Sequence, residues 1–250
     1  MVVSQLQFDP GQTAPDSVSC RYGLQEYIRM ATQVDLKPTL DFLKGLIPNN
    51  NRAWFQAHKS DFDKASQAFE AFVVALIDEL APTEDLRGVS PKECIFRIYR
   101  DVRFSKDKTP YKTHMSAYIA PGGRKAMAVG YYIQISPGGE SIIAGGLHEP
   151  DPKRLAKFRQ VIERDPRPFK KIIGAKAFRE YFGEVEGEKL ATAPRGYSKD
   201  HPEIELLRMK QITAYHRIPD RQLLAPDLVK ETVKGLKLMK PFLVYLDSIR

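Results

Sequence analysis

Six basic side chains fall within the 18 residues Arg97–His114, RIYRDVRFSKDKTPYKTH: Arg97, Arg100, Arg103, Lys106, Lys108 and Lys112. Asp101 and Asp107 are the acids among them, so this segment carries a net +4 of the chain's +8. Tyr99, Phe104 and Tyr111 are interleaved. Such charge density needs an anion or water to neutralise it. Guanidinium forks suit phosphate or carboxylate, and tyrosine rings can stack on a base or sugar. His114 ends the run, where neighbouring cations would hold its imidazole neutral, a state that suits a general base. The expected ligand set is Arg97, Tyr99, Arg100, Asp101, Arg103, Lys106, Lys108, Tyr111 and Lys112. Arg195 and Tyr197, in the loop PRGYSKDHP at 194–202, are candidates to complete it, and His114 is the candidate catalytic residue. The competing reading is an internal ion-pair network in which Asp101 and Asp107 are shared among the Arg and Lys of the same segment.

The elements that must position these residues change period along the chain. Thr39 is a candidate cap for a short helix ending at Pro48, and Asn49–Asn51 for the helix RAWFQAHK. From Ser60 to Leu80, apolar residues recur at three and four, the pattern of an amphipathic helix. From Cys94 to Phe104 the chain alternates, which predicts a strand with Cys94, Phe96, Ile98, Val102 and Phe104 on one face and Arg97, Tyr99, Asp101 and Arg103 on the other. At roughly 6.6 Å per two residues, Arg97 and Arg103 would lie about 20 Å apart. Arg100 falls in the apolar phase, so it needs a bulge or a buried partner. Further strands are expected at 115–120, 126–136, 141–147 and 211–218, with Gly-rich turns that imply antiparallel neighbours. Small residues at Ala126, Ala128, Gly130 and Ala144–Gly146 leave room for a ligand or for close helix packing. Helices are expected at 152–164, 169–173, 175–182, 202–209 and 226–239, with Pro241 breaking the last from a following segment. The fold class is α+β: a mostly antiparallel sheet of about five strands flanked by amphipathic helices.

NNNRAWF at 49–55, RIYRDVRFSKDKTPYKTH at 97–114, GYYIQISPGG at 130–139 and PRGYSKDHP at 194–202 resemble the domain of unknown function 2461 family of bacterial and fungal proteins. The resemblance covers residue 36 to the C-terminus. It implies one domain beginning near Val34 and brings no catalytic residue with it. Residues 1–33 read as a loosely ordered leader, within which Met30 offers a second plausible start, and 34–250 as a single α+β domain.

Composition narrows the classes. No apolar run is long enough to span a bilayer. Cys20 and Cys94 fit no zinc or redox spacing, and the five histidines form no HxxxH or HExxH pair, so no metal or cofactor is expected. Phosphate-binding and nucleophile-elbow motifs are absent. The chain reads as a cytoplasmic, non-membrane protein that binds a phosphate- or carboxylate-bearing small molecule over a cationic sheet face and acts on it. A nucleic-acid-binding module and a non-catalytic interaction protein are the alternatives; His148 and His201 are secondary proton-transfer candidates.

Overall fold

The computed structural model describes residues 34–126 and 128–249; the expected leader lies outside the described residues. The chain opens with α1 (Lys37–Leu46), which enters on Pro38 and buries Leu40, Phe42, Leu43 and Leu46. Thr39 lies inside this helix rather than capping it, and its hydroxyl donates to Ala65 O at 2.8 Å. Asn51 does cap α2 (Arg52–Ala57), accepting from Trp54 N at 2.9 Å. The long α3 (Lys59–Leu80) buries Phe69, Phe72, Val73, Leu76 and Leu80 along one stripe.

The expected strand at 94–104 does not form. Residues Pro91–Cys94 make a short helix, α4, closed by a Ser90–Glu93 capping box. The chain from Ile95 to His114 is irregular, and the alternation ends where Arg100 turns to partners within its own loop. The sheet therefore has four strands among the described residues: β1 (Met115–Ile119), β2 (Tyr131–Ile135), β3 (Ser141–Leu147) and β4 (Ile212–Ile218), in that order and all antiparallel. β2 begins at Tyr131 rather than at 126: a 3-10 turn occupies Gly123–Lys125, and Ala128–Gly130 after it are irregular.

Between β3 and β4 come α5 (Pro152–Arg164), α6 (Arg167–Ile173), α7 (Lys176–Phe182) and α8 (Ile204–Leu207). After β4 come α9 (Asp220–Leu223) and α10 (Leu228–Asp247). Pro241 does not break α10. Pro241 and Lys237, whose carbonyl it deprives of a donor, are both exposed, so water can serve that carbonyl. Phe242, Leu243 and Leu246 keep the inner side of the helix buried.

One face of the sheet is the core. Ala117, Ile133, Ile143 and Ala214 are fully buried there, and α10 packs across β3. Gly145 permits that approach, since a Cβ on it would stand 2.5 Å from Met239 Sδ and 2.8 Å from Leu243 Cδ2. Both outer edges of the sheet are covered by short paired segments rather than strands. Phe96 N donates to Ser116 O at 2.9 Å outside β1, and Glu186 exchanges two backbone hydrogen bonds with Thr213 outside β4.

Gly146 sits at φ +123°, and a Cβ there would collide with Ile212 O of the neighbouring strand. Gly138, in the β2–β3 turn at φ +81°, has open space around it. Gly146→Ala should lower unfolding free energy by about 2–3 kcal/mol, and Gly138→Ala by only about 1 kcal/mol, in urea titrations. Equal losses would show that the β3–β4 contact does not set the requirement.

Candidate functional site: an aromatic cleft with a cationic edge

The basic segment is a stapled loop. Its neck is a pair of rungs: Arg100 N donates to Pro110 O at 2.9 Å, and Lys112 N to Ile98 O at 2.8 Å, with Tyr99 opposite Tyr111. Asn50 fixes the neck to the helical layer. Its amide donates to Tyr111 O at 2.9 Å, and its side-chain oxygen accepts from Tyr111 N at 3.1 Å, as a strand neighbour would. Tyr111 is buried and stacked 4.1 Å over Phe55, so its ring serves packing.

Within the loop, Arg100 is the hub. Its guanidinium donates to Asp107, to the Thr109 hydroxyl and, at 3.1 Å, to Thr109 O. Asp107 also accepts from Thr109 N at 2.9 Å. That backbone bond, with the Arg100 guanidinium and the Thr109 hydroxyl, pulls its carboxyl down to about 2. Asp101 takes a two-pronged bond from Arg103, which holds its carboxyl below the ordinary range. Lys108 donates to Val102 O at 3.0 Å. Arg100, Asp101, Arg103, Lys108 and Tyr111 thus form or support the loop.

Arg97, Lys106 and Lys112 differ. No ion pair among the described residues engages them. Lys106 is exposed. Lys112 Nζ lies 5.3 Å from the centre of the Phe96 ring. Burial, then the Arg97 charge, pushes the Lys112 ammonium down; burial, then Lys112, pushes the His114 imidazole down. Arg97, Lys112 and His114 are therefore the part of the expected set that shares one electrostatic neighbourhood. Arg97 lines a groove of about 350 Å³ beneath α3 with Lys92, Arg124 and Glu70, and Phe96 is the wall between this groove and the open face of the sheet. Arg195 is exposed, and Tyr197 lies near Arg159 and Glu163 of α5; no hydrogen bond or ring contact among the described residues ties either to 97–114.

The open face holds a cleft of about 610 Å³. Register places Tyr118, Tyr132, Ala144 and Tyr215 side by side across the four strands. Ala144 and Gly146 lower the floor between Tyr132 and Tyr215, while Gly145 serves packing on the opposite face. The tyrosines are preset: the Tyr118 hydroxyl accepts from Gly130 N at 2.7 Å and donates to Ala128 O, and the Tyr132 hydroxyl donates to Gln134 Oε1 at 2.9 Å. Phe96 closes the β1 edge of the cleft, and Glu186, Gly187 and Gln211 close the β4 edge, with His148 exposed on the rim. No Lys or Arg lines the cleft itself. The expected cationic sheet face is thus largely aromatic: Arg217 of β4 lies with its guanidinium 6.0 Å from the Tyr215 ring but is ion-paired with Glu140, and the cations of 97–114 are on the segment outside β1.

The tyrosine row escapes a reading centred on charge. Its signal is present in the polar phase of the strands, where YYIQI and ITAYHRI place Tyr132, Gln134, Thr213 and Tyr215 opposite the buried residues. Among the described residues no group of three or more His, Cys, Asp or Glu could hold a metal ion, and no helix is long and apolar enough to cross a membrane.

Residues 38–245 match the family described as conserved hypothetical protein (DUF2461), and the chain belongs to it. No curated protein and no solved structure matches the chain.

His114 has a sign-definite consequence. The unfolded chain takes up its proton at the ordinary value, 6.5, whereas the folded protein resists protonation to lower pH. Stability should therefore fall as pH drops below 6.5. In thermal unfolding from pH 8 to 5, wild type should lose stability relative to His114→Gln below 6.5. A constant difference across that range would mean that His114 is not desolvated beside Lys112.

Proposed function

We propose that the protein binds a phosphate- or carboxylate-bearing ligand whose planar ring lies on the tyrosine row and whose anionic group sits at the β1 edge beside Lys112 and His114. The observation that carries this reading is the pairing of an aromatic floor that no described residue covers with Lys112, which no acid among the described residues ion-pairs. Three inter-strand spacings make the floor about 14 Å wide, a span suited to one ring and an attached anion. The two edges of the cleft differ: positive charge flanks Phe96 at one, while the Glu186 carboxylate and Gln211 amide stand at the other, where the Arg217 guanidinium near Tyr215 is already paired with Glu140. The carboxylate edge would repel the anion and accept hydrogen bonds from ring amines, so the ligand has a preferred orientation.

Lys112 and His114 are primed for an anion because both hold a proton less readily than usual. An anion beside them reverses this, raising both groups as it binds. His114, neutral near pH 7 and adjacent to the anion, is the group positioned to exchange a proton with it. Arg100, Arg103 and Lys108 are tied up by Asp107, Asp101 and backbone carbonyls, and hold the loop that carries Tyr99 and Lys112.

Isothermal titration with nucleoside monophosphates and aromatic carboxylates, compared with the corresponding nucleosides and with inorganic phosphate, tests the reading. Ring-plus-anion ligands should bind best, and both Tyr132→Ala and Lys112→Ala should weaken them by about tenfold or more. Ligands that bind wild type and Tyr132→Ala equally would remove the cleft from the account.

A further inference from the structure

We propose that the cleft is one end of a longer track for single-stranded nucleic acid, running from the tyrosine row past Phe96 and Tyr99 to Phe104 at the tip of the basic loop. The inference rests on the reading of the cleft as a site for a ring-bearing anion and names the ligand class.

Phe104 is the observation that a small-ligand site leaves unexplained. It is 95% exposed, and Tyr99, nearer the neck of the same loop, is 48% exposed. A large apolar ring fully in water on an otherwise polar loop marks a contact surface. The loop carrying it is preorganised by the Arg100 hub and the Asn50 clamp, so little order has to be gained when a partner binds.

Rings and cations are interspersed along the path. From the cleft, Phe96 lies with its ring centre 6.4 Å from Tyr132 and Lys112 beside it; Tyr99 shares the groove beneath α3 with Phe96, and further along the chain comes Phe104, with the Arg103 guanidinium 5.8 Å from its ring. Lys106 lies two residues beyond Phe104 and has no acidic partner among the described residues. Bases stack on such rings irrespective of sequence, and the intervening cations follow the phosphates. An antiparallel sheet with helices behind it and aromatic residues on adjacent strands of its free face is a surface on which unstacked bases can lie. A duplex cannot use these rings because its bases are already stacked and paired. The Glu186 edge sets the direction: the backbone leaves the cleft at β1, where the charge is positive.

The test uses the full chain and fluorescence anisotropy with uridine monophosphate as competitor, oligouridylates from two to roughly twelve nucleotides, a blunt duplex and phosphatidylserine vesicles. Affinity should rise tenfold or more from the mononucleotide to the longer strands and then level off. The salt dependence should approach a log–log slope of about −2 to −3, as expected when three or four cations each meet a phosphate. Phe104→Ala should weaken the longer strands at least about fivefold and leave mononucleotide binding unchanged. Strands no tighter than the mononucleotide, or an unaffected Phe104→Ala, would overturn the track while leaving the cleft reading intact. Tighter binding to duplex, or vesicle binding lost in Phe104→Ala without any change for oligouridylate, would assign the tip to another partner. Failure of both mononucleotide and oligonucleotide would remove the track and nucleotides as ligands of the cleft, with aromatic carboxylates then deciding the cleft reading.

Discussion

Helices on one side of an antiparallel sheet bury half of each strand and leave the other half to find water or a partner. Here the buried side is closed by α10 across β3. Gly145 lets Met239 and Leu243 come within contact distance, and Ile133, Ile143 and Ala214 complete a fully buried surface. The other side carries Tyr118, Tyr132, Ala144 and Tyr215 in register. Tyrosine meets both demands on that side, because its ring covers the pleat while its hydroxyl bonds to the backbone or to Gln134. A solvated sheet face made of charged residues would meet the same folding requirement without forming a cleft. The aromatic choice is what makes the open face a cleft.

The walls arise from the same constraint. Each edge of a four-stranded sheet exposes unpaired backbone groups, and each edge here is met by a short segment rather than a further strand. Outside β1 the segment brings Phe96; outside β4 it brings Glu186 and Gly187. Edge coverage and cleft walls are therefore one device. The difference in charge between the two ends of the cleft comes from a loop rich in Lys and Arg after Phe96 at one end and from the Glu186 carboxylate of the covering segment at the other, Glu188 being paired with Lys210.

The strands 141–147 and 212–218, and the helices 59–80 and 152–164, are legible in the sequence because each buries one face and repeats its pattern for at least five residues. Cys94–Phe104 alternates equally well yet forms no strand. Its second half has no core to face, Phe104 ends in solvent, and Arg100 gains more from Asp107 and Thr109 within its loop than a strand would give it. Pro241 misleads in the opposite direction: packing of Phe242 and Leu246 outweighs one lost backbone bond at an exposed turn. For the site, composition places the charge correctly and cannot divide it. Which Arg or Lys is consumed by Asp101 and Asp107 depends on the path of a loop whose neck is fixed by Asn50, 61 residues away from Tyr111 in the chain. The role of Asn50 has no signal in the sequence, where three consecutive asparagines read equally as helix caps.

Edge protection alone would account for the positive charge of 97–114, because charged residues beside an open strand discourage pairing with another chain. That account needs only the sign of the charge. It gives no reason for an exposed phenylalanine at the tip, since an apolar ring in water beside an open edge favours the association that the charges oppose. Nor does it explain a rigid loop: repulsion works as well from a mobile one, whereas Arg100 bonds across to Asp107, Thr109 and Ser105, and Asn50 bonds both backbone groups of Tyr111. Finally, it places no demand on Lys112, whose ammonium lies over Phe96 beside Arg97 and His114 in an arrangement that disfavours its own charge. Mutually unfavourable cations beside an aromatic wall, on a loop held in one shape, are what the proposed negative guest would require, and no acid among the described residues forms an ion pair with Lys112 there.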